Sequence, residues 1–170
     1  MCKRLFVGIE AHEQALYDSA MALKARLPGK YHPLANYHVT LAFIGAYEEA
    51  PVAEALNGIA PQGSVTLETL PAPGFFKEGK KAVLYAPVKP DDQLGLLAYR
   101  VCQSLKNAGI PFDEREVFTP HITLARGVDS DAFEGQQLEA VTFETGEFCL
   151  FESLSGEKGL EYIPLARFAI

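Results

Sequence analysis

One five-residue pattern occurs twice in this chain, as HVTLA at 38–42 and as HITLA at 121–125. The two copies differ only by Val39 and Ile122, which are both β-branched and apolar. Because the chain has only four histidines, a chance match of this length is expected roughly once in 10⁵ comparisons. The repeat therefore predicts a domain built from two related halves, each with one His-x-Thr strand.

Helical and β-rich segments alternate along the chain. The periodicity of apolar residues predicts helices over about 11–26, 48–59, 91–108 and 130–138. Strands are predicted near 3–9, 36–45, 64–70, 81–88, 118–126, 141–152 and 160–169, with a loop at 71–81. Each half thus contains a helix, a His-x-Thr strand, a short helix and a strand pair, which predicts an α+β fold. We expect residues 1–170 to form one domain of two pseudo-symmetric lobes, with the motifs at 38–41 and 121–124.

Each motif is expected to present its imidazole and hydroxyl to one side, because residues two apart on a strand share a face. If a pseudo-twofold axis relates the two halves, their polar faces can meet across a cleft. Strict alternation assigns to the polar face His38, Thr40, Ala42, His121, Thr123 and Ala125. It assigns to the core Val39, Leu41, Phe43, Ile122 and Leu124. Arg126 would alternate to the core side, so we expect it to turn toward the polar side where the strand ends.

Two imidazoles and two hydroxyls that face each other suit the hydrolysis of a phosphodiester. An imidazole titrates at about pH 6.5, so one ring can accept a proton while the other donates one. The hydroxyls of Thr40 and Thr123 can donate hydrogen bonds to the phosphate, and the guanidinium of Arg126 can bind it with two parallel bonds. We therefore predict His38 and His121 as a catalytic acid–base pair that needs no metal.

Other kinds of site are weaker interpretations of the same residues. A metal would need a third ligand from elsewhere in the fold, since no Asp or Glu lies within four positions of His38 or His121. No serine has the G-x-S-x-G context of a Ser-His-Asp hydrolase. The remaining histidines, His12 and His32, are expected to be structural or surface residues.

Charge and cysteine content limit the partners and the compartment. The chain has 22 acidic and 15 basic residues and a net charge of −7, which argues against coating a nucleic-acid backbone but allows one phosphate or a strand end. Its cysteines, Cys2, Cys102 and Cys149, form no C-x-x-C pair and are odd in number, as expected for a reducing cytoplasm. No run of 18 apolar residues is present, so no membrane partner is expected.

These motifs resemble those of the two-histidine phosphoesterases, and within that superfamily the RNA 2′,3′-cyclic phosphodiesterases, also called 2′-5′ RNA ligases. The resemblance rests on the segments RLFVGIE, HVTLAFIG, GIPFDEREVF, FTPHITLAR and CLFESLSGEKGLEYIPLARFAI, which together span nearly the whole chain. It implies a bilobal α+β fold, with antiparallel sheets around a central cleft and helices outside.

The resemblance also implies an activity and a role for each motif residue. It implies hydrolysis of a 2′,3′-cyclic phosphate at an RNA end to a 2′-phosphomonoester, without a metal or cofactor, with 2′-5′ ligation as the reverse chemistry. By this resemblance His38 is the proton donor and His121 the proton acceptor, while Thr40, Thr123 and Arg126 contact the phosphate. The donor and acceptor roles rest on the resemblance alone, since the two motifs look alike.

Base and backbone contacts are expected from the segment GFFKEGKK. Phe75 or Phe76 can stack on a base and Lys77 can contact a phosphate, with Arg4 and Arg115 as further basic candidates. The expected partners are RNA 3′ ends, or small nucleotides, that carry a 2′,3′-cyclic phosphate, and the chain is expected to act as a monomer. Two alternatives remain open: a phosphodiesterase for small cyclic nucleotides or ADP-ribose cyclic phosphate, and a nucleotide-binding module without catalysis.

Overall fold

A computed structural model describes residues 1–129, 131 and 134–170. Within this range the helices are α1 (Gln14–Leu23), α2 (Glu49–Asn57) and α3 (Asp92–Asn107), with a short 3₁₀ turn at Leu34–Asn36. The first five strands are β1 (Cys2–Glu10), β2 (Lys30–Tyr31), β3 (His38–Glu48), β4 (Val65–Glu68) and β5 (Gly74–Glu78). The last five are β6 (Lys81–Pro87), β7 (His121–Val128), β8 (Thr142–Thr145), β9 (Glu147–Gly156) and β10 (Gly159–Ala169).

Helix α3 begins and ends where its sequence predicts. The carboxylate of Asp91 accepts hydrogen bonds from the backbone N–H groups of Gln93 and Leu94, both at 3.0 Å, and so caps the first turn. Gly109 follows the last turn with a φ of +71°, a conformation that glycine adopts without strain. No helix in the described part of the chain is both long enough and apolar enough to span a membrane.

Eight strands form one antiparallel sheet in the order β10-β9-β1-β3-β7-β6-β5, with β2 paired to β7 beside this path. Strands β4 and β8 form a separate two-stranded sheet. The two His-x-Thr strands, β3 and β7, are therefore neighbours at the centre of the large sheet. Helices packed on a mainly antiparallel sheet confirm the α+β fold class.

The main hydrophobic core lies between the helices and one face of this sheet. Helix residues of the core include Leu16, Ala20, Val52, Leu56, Leu94 and Leu97. From the central strands Val39, Leu41, Ile122 and Leu124 point into the same core, as predicted. The opposite face carries His38, Thr40, His121 and Thr123 and is called the histidine face below. A small second cluster on that face contains Phe6, Cys149 and Phe151, against which Phe43 and Tyr162 pack.

Strand β3 does not alternate strictly, because it bulges directly after its His-x-Thr motif. Thr40 pairs with Gly8 and Ala42 pairs with the next residue of β1, Val7, so Leu41 is the extra residue of a β-bulge. Leu41 and Ala42 are both buried in the main core. The predicted place of Ala42 on the polar face is therefore wrong.

The bulge also reverses the predicted direction of the next side chain. Phe43 pairs with Phe6 and packs in the cluster on the histidine face, whereas strict alternation placed it in the main core. The physical reason is that one inserted residue shifts the period-two pattern by one position.

Strand β7 has a bulge at the equivalent position. Thr123 pairs with Tyr85 and Ala125 pairs with Leu84, which leaves Leu124 as the extra residue. Ala125 is fully buried in the main core, so its predicted place on the polar face is also wrong. The two sequence repeats thus share one backbone irregularity as well as one sequence pattern.

The segment at 71–81 is not the open loop that was predicted, because it contains β5. Residues Gly74–Glu78 pair with β6, and Gly79, with a φ of +63°, forms the connecting turn. The helix predicted over 130–138 falls partly on 130, 132 and 133, which lie outside the described residues. The described residues 136–138 have no regular secondary structure.

Candidate active site

His38 makes one hydrogen bond at each ring nitrogen, as donor at Nδ1 and as acceptor at Nε2. Its Nδ1 lies 2.8 Å from the carbonyl oxygen of Asn36, and because a carbonyl only accepts, Nδ1 carries the proton. In the neutral ring Nε2 is then an acceptor, and it lies 2.9 Å from the Oγ1 of Thr40, which donates to it. The tautomer of His38 is therefore fixed by the backbone two residues earlier in the chain.

His121 repeats this arrangement in the second motif. Its Nδ1 donates to the carbonyl oxygen of Thr119 at 2.8 Å, again two residues earlier. Its Nε2 makes no hydrogen bond with the described residues, so this nitrogen is available to accept a proton from a ligand or from water. Both imidazoles thus present Nε2 rather than Nδ1 to the histidine face.

Burial keeps both imidazoles neutral. It lowers the pKa of His38 to about 4, against the raising effect of the hydrogen bond to Asn36, and the nearby rings of His32 and His121 lower it further. Burial also lowers the pKa of His121, against the raising effect of the hydrogen bond to Thr119, and the positive charges of Arg115 and Arg126 act in the same direction as burial. A bound phosphate would oppose these effects, because its negative charge favours the imidazolium form.

Aromatic side chains and one glycine enclose the ring of His38. The centroid of the Phe6 ring lies 4.7 Å from that of His38, and the ring of Tyr162 stands edge-on at 5.0 Å with an interplanar angle of 87°. A Cβ atom on Gly8 would lie 2.8 Å from the carbonyl oxygen of Val39 and 3.5 Å from His38 Cδ2. Gly8 is therefore required for the close approach of β1 to this histidine.

A second aromatic pair lies beside His121. The rings of Phe76 and Tyr85 stack at 4.3 Å, and each centroid lies 5.1 Å from that of His121. A side chain at Gly74 would overlap the ring of Tyr85, so this glycine leaves the space that Tyr85 fills. Phe76 is 40% exposed, which leaves part of this aromatic surface open to a ligand.

The other two candidates on β5 lie on the opposite side of the strand. Phe75 pairs with Leu84 and Lys77 pairs with Ala82, and both partners are fully buried in the main core. Because side chains alternate along a strand, Phe75 and Lys77 point away from the face that carries Phe76. Phe76 is the candidate whose ring packs against His121, at 5.1 Å between centroids.

Arg126 turns to the histidine face, since the bulge at Leu124 shifts it out of the core register. Its guanidinium is exposed and forms an ion pair with the carboxylate of Glu78 at 3.2 Å. The sheet therefore brings the motif residues to one face, namely His38, Thr40, His121, Thr123 and Arg126. Glu78, which no sequence signal singled out, lies two residues beyond Phe76 on β5.

His32 is a third imidazole on this side of the sheet, and its burial agrees with the structural role that the sequence analysis allowed. Its side chain is 9% exposed, its backbone N–H donates to the carbonyl oxygen of Leu124 at 2.8 Å, and its ring lies 6.2 Å from that of Tyr162. Burial lowers the pKa of His32 to about 4, and the charge of Arg126 contributes. His32 and Tyr162 lie outside both motifs, and only pairing of β2 with β7 and of β10 with β9 brings them here.

The two further basic candidates differ in their partners. The guanidinium of Arg4 lies over the ring of Phe43, 4.9 Å from its centroid. Arg115 forms an ion pair with Asp113 at 2.9 Å. Among the described residues, no group of three or more His, Cys, Asp or Glu side chains is placed to hold a metal ion. The site thus offers two neutral imidazoles, two hydroxyls and a guanidinium, a set that suits acid–base chemistry on a phosphate ester.

Comparison with known proteins gives matches over most of the chain. The family model of the 2′-5′ RNA ligase superfamily matches residues 12–157. A protein named RNA 2′,3′-cyclic phosphodiesterase from Geobacillus stearothermophilus is 29% identical over 145 residues, which are 79% of this chain and 46% of that relative. A protein of the same name from Bacillus subtilis (strain 168) is 31% identical over 121 residues, which are 68% of this chain and 63% of that relative. The chain therefore matches less than two thirds of the length of either relative.

The fold also matches a solved structure. The crystal structure of E. coli LigT complexed with 3′-AMP has a TM-score of 0.82 and 25% sequence identity, over 100% of this chain and 99% of that one. The family match spans both His-x-Thr motifs and all three helices of the described residues. On this evidence the chain belongs to the 2′-5′ RNA ligase superfamily.

Proposed function

We propose that this protein hydrolyses a 2′,3′-cyclic phosphate at an RNA end to a 2′-phosphomonoester, with His38 and His121 as its acid–base pair. The observation that carries the proposal is the matched pair of backbone hydrogen bonds, to Asn36 and Thr119, which leave both Nε2 atoms facing the same side. The names of the two bacterial relatives support the substrate class.

The chemistry is an in-line displacement with two proton transfers. His121 Nε2 takes a proton from water as the water oxygen bonds to phosphorus, and His38 Nε2–H gives its proton to the 3′ oxygen as the bond from phosphorus to that oxygen breaks. His121 then releases its proton to solvent and His38 takes one up, which returns both rings to their starting states. The free Nε2 of His121 supports its role as acceptor.

His38 must be protonated to act as donor, although its pKa in the ligand-free protein is about 4. The negative charge of a bound phosphodiester raises this pKa and so favours the reactive form only when substrate is present. Protonation also turns Nε2 into a donor, so the hydroxyl of Thr40 is released from its bond to His38 and can donate to the phosphate.

The phosphate contacts are assigned to Thr40, Thr123 and Arg126. The planar guanidinium of Arg126 can donate two parallel hydrogen bonds to two non-bridging oxygens. Negative charge develops on these oxygens in the transition state, so the bonds stabilise the transition state more than the ground state. The phosphate takes the place of the Glu78 carboxylate, which pairs with this guanidinium in the ligand-free protein.

The terminal base is assigned to the exposed surface of Phe76. Its ring is fixed by stacking on Tyr85 and lies beside His121, so a base stacked there would keep its ribose phosphate close to the imidazoles. The reverse reaction, in which a 5′-hydroxyl replaces water, would form a 2′-5′ bond by the same proton transfers. We also propose a cytoplasmic location, supported by three unpaired cysteines, and a monomeric state.

A short RNA that ends in a 2′,3′-cyclic phosphate, incubated with the protein in excess EDTA, tests the proposal. Phosphorus NMR identifies the product, and the His38→Ala variant serves as the control for contaminating activity. We expect turnover to a 2′-phosphate. A 3′-phosphate product would mean that the 2′ oxygen receives the proton instead of the 3′ oxygen. Activity that appears only after metal is restored would contradict the two-histidine chemistry. Tight binding without turnover would indicate a binding module.

A further inference from the structure

A second group of side chains on the histidine face lies beyond His38, toward β1 and β10. Phe43 follows Thr40 on this face, and the guanidinium of Arg4 lies over its ring at 4.9 Å. Tyr162 packs in the same aromatic cluster and stands edge-on to His38. Arg4 therefore lies over a ring of the same aromatic cluster whose Phe6 packs against His38.

Arg4 differs from the other arginines of this face in having no acidic partner. Arg126 pairs with Glu78, and Arg167 pairs with Glu10, whereas Arg4 makes no ion pair with the residues that the structure describes. Its contact with the Phe43 ring fixes the guanidinium without neutralising it. In a protein with a net charge of −7, a fixed and unpaired guanidinium beside the site favours a phosphate as its partner.

The hydroxyl of Tyr162 is the second group available to a ligand. It makes no hydrogen bond within the described residues, and its ring is held by stacking on His32 at 6.2 Å and by an edge contact with Phe6 at 5.1 Å. Tyr162 packs on the same cluster as Phe43, the ring over which Arg4 lies. Burial raises the pKa of Tyr162, so its hydroxyl is a neutral donor held on the same face as Arg4.

We propose that Arg4 and the Tyr162 hydroxyl bind the phosphodiester that precedes the terminal nucleotide of the RNA, an inference that rests on the proposed function. The terminal base lies toward Phe76 on one side of the histidines, and the chain leaves toward Arg4 on the other. A mononucleoside cyclic phosphate has no such phosphodiester. The preferred substrate is therefore an RNA end of at least two nucleotides. The protein recognises the charge of this one additional phosphodiester and does not need a longer stretch of the RNA backbone.

A pair of dinucleotides that differ in one charge tests this subsite. Both end in a 2′-phosphate, and one has a natural phosphodiester while the other has an uncharged methylphosphonate at the same linkage. We expect titration calorimetry to give a Kd at least fivefold lower for the charged compound with the unaltered protein. Arg4→Gln should bring this ratio close to one, and Tyr162→Phe should lower it. Arg26→Gln is the matched control, because Arg26 is exposed and also makes no ion pair in the described residues.

An equal Kd for the two compounds with the unaltered protein would overturn the inference, and this result does not depend on any variant folding. An unchanged ratio in a folded Arg4→Gln variant would overturn it as well. Turnover of the matching cyclic phosphates separates this inference from the proposed function. A charge-dependent Kd without turnover would refute the hydrolysis and keep the subsite, whereas turnover without charge dependence would do the reverse.

Discussion

Val39 on β3 pairs with Ile122 on β7, and among the described residues this pair alone joins the two His-x-Thr strands. Both side chains are fully buried on the helix side of the sheet, so the neighbouring polar residues face the other way. Because the strands are antiparallel, the register of this pair places His38 opposite Thr123 and Thr40 opposite His121. A phosphate between the strands would therefore meet one imidazole and one hydroxyl from each side.

The first prediction concerns the two motif histidines. His38→Ala and His121→Ala should each lower kcat by roughly 10² to 10⁴, the usual effect of removing one general acid or base. Steady-state hydrolysis of an RNA cyclic phosphate measures kcat, and thermal unfolding reports the fold. His12→Ala is the control, because His12 is exposed and, among the described residues, its polar contacts are with the carbonyl oxygen of Ala35 and the carboxylate of Glu10. Loss of folding in both variants would instead assign the motif histidines a structural role.

The second prediction is the pH dependence of catalysis. The reactive form needs one imidazole protonated and the other neutral, so kcat/KM should follow a bell-shaped curve set by the ligand-free enzyme. The pKa of His38 is about 4 and that of His121 is lowered from its ordinary value, so the maximum should lie below about pH 6.5. The kcat curve should lie at higher pH, because bound phosphate favours both imidazolium forms. A sigmoid governed by one group would contradict the paired roles.

The motifs show where prediction from the sequence succeeded and where it failed. The repeated pattern was enough to predict two polar strands in an α+β fold, because hydrophobic periodicity reports strands and helices directly. It did not indicate that the two strands are neighbours in one sheet. It placed Ala42, Phe43 and Ala125 on the wrong faces, because a bulge inserts one residue without any change of composition. The bulge in β7 gives the reason why Arg126 lies on the histidine face instead of in the core.

Residues outside the motifs were harder to predict, since only the tertiary fold brings them to the site. The Phe-Phe segment looked like a loop because glycine, proline and lysine surround it, yet it is strand β5, whose alternation separates Phe75 from Phe76. His32 and Tyr162 come from β-structure at distant points of the chain and meet through long-range pairing. No local spacing indicates such a contact.

The third prediction concerns the space that Gly8 leaves for His38. In Gly8→Ala the new Cβ would lie 2.8 Å from a backbone oxygen of β3, which has little freedom to move. We expect a loss of about 1 to 3 kcal/mol in the free energy of unfolding and a lower kcat from the displaced imidazole. Gly95→Ala is the control, since nothing lies within 4 Å of its Cβ position in α3, and it should stabilise by up to about 1 kcal/mol. A Gly8→Ala variant with unchanged stability and kcat would contradict this account of the packing.

The fourth prediction concerns the ion pair between Glu78 and Arg126. Glu78→Gln removes a carboxylate that competes with phosphate for the guanidinium, so the Kd for adenosine 2′-phosphate should fall about twofold to fivefold, as expected for an exposed pair. Titration calorimetry measures this Kd. Glu68→Gln serves as the control, because Glu68 pairs with Lys89 instead of with a residue of the site. Weaker binding by Glu78→Gln would show that this carboxylate supports Arg126 rather than competing with its ligand.

The last prediction concerns the pH dependence of stability, to which the buried His32 contributes. Its pKa is about 4 in the folded protein and about 6.5 in the unfolded chain, so protons bind the unfolded chain more readily. Its effect on stability is small above pH 6.5 and becomes more destabilising as the pH falls toward 4. Between pH 7 and pH 5 this amounts to about 2 kcal/mol in the free energy of unfolding. His32→Phe, which keeps an aromatic ring against Tyr162, should lack this part of the loss.

Urea denaturation of both proteins at pH 7 and pH 5 measures the difference. Any cost of packing the phenylalanine is the same at both pH values, so it cancels in the difference between pH 7 and pH 5. The carboxylates contribute equally to this difference in both proteins and cancel when the two proteins are compared. The His12→Phe variant is the control, because it makes the same substitution at an exposed histidine instead of a buried one. An equal loss in His32→Phe would mean that the imidazole of His32 gains a proton in the folded state, and therefore that it reaches solvent or an anionic partner.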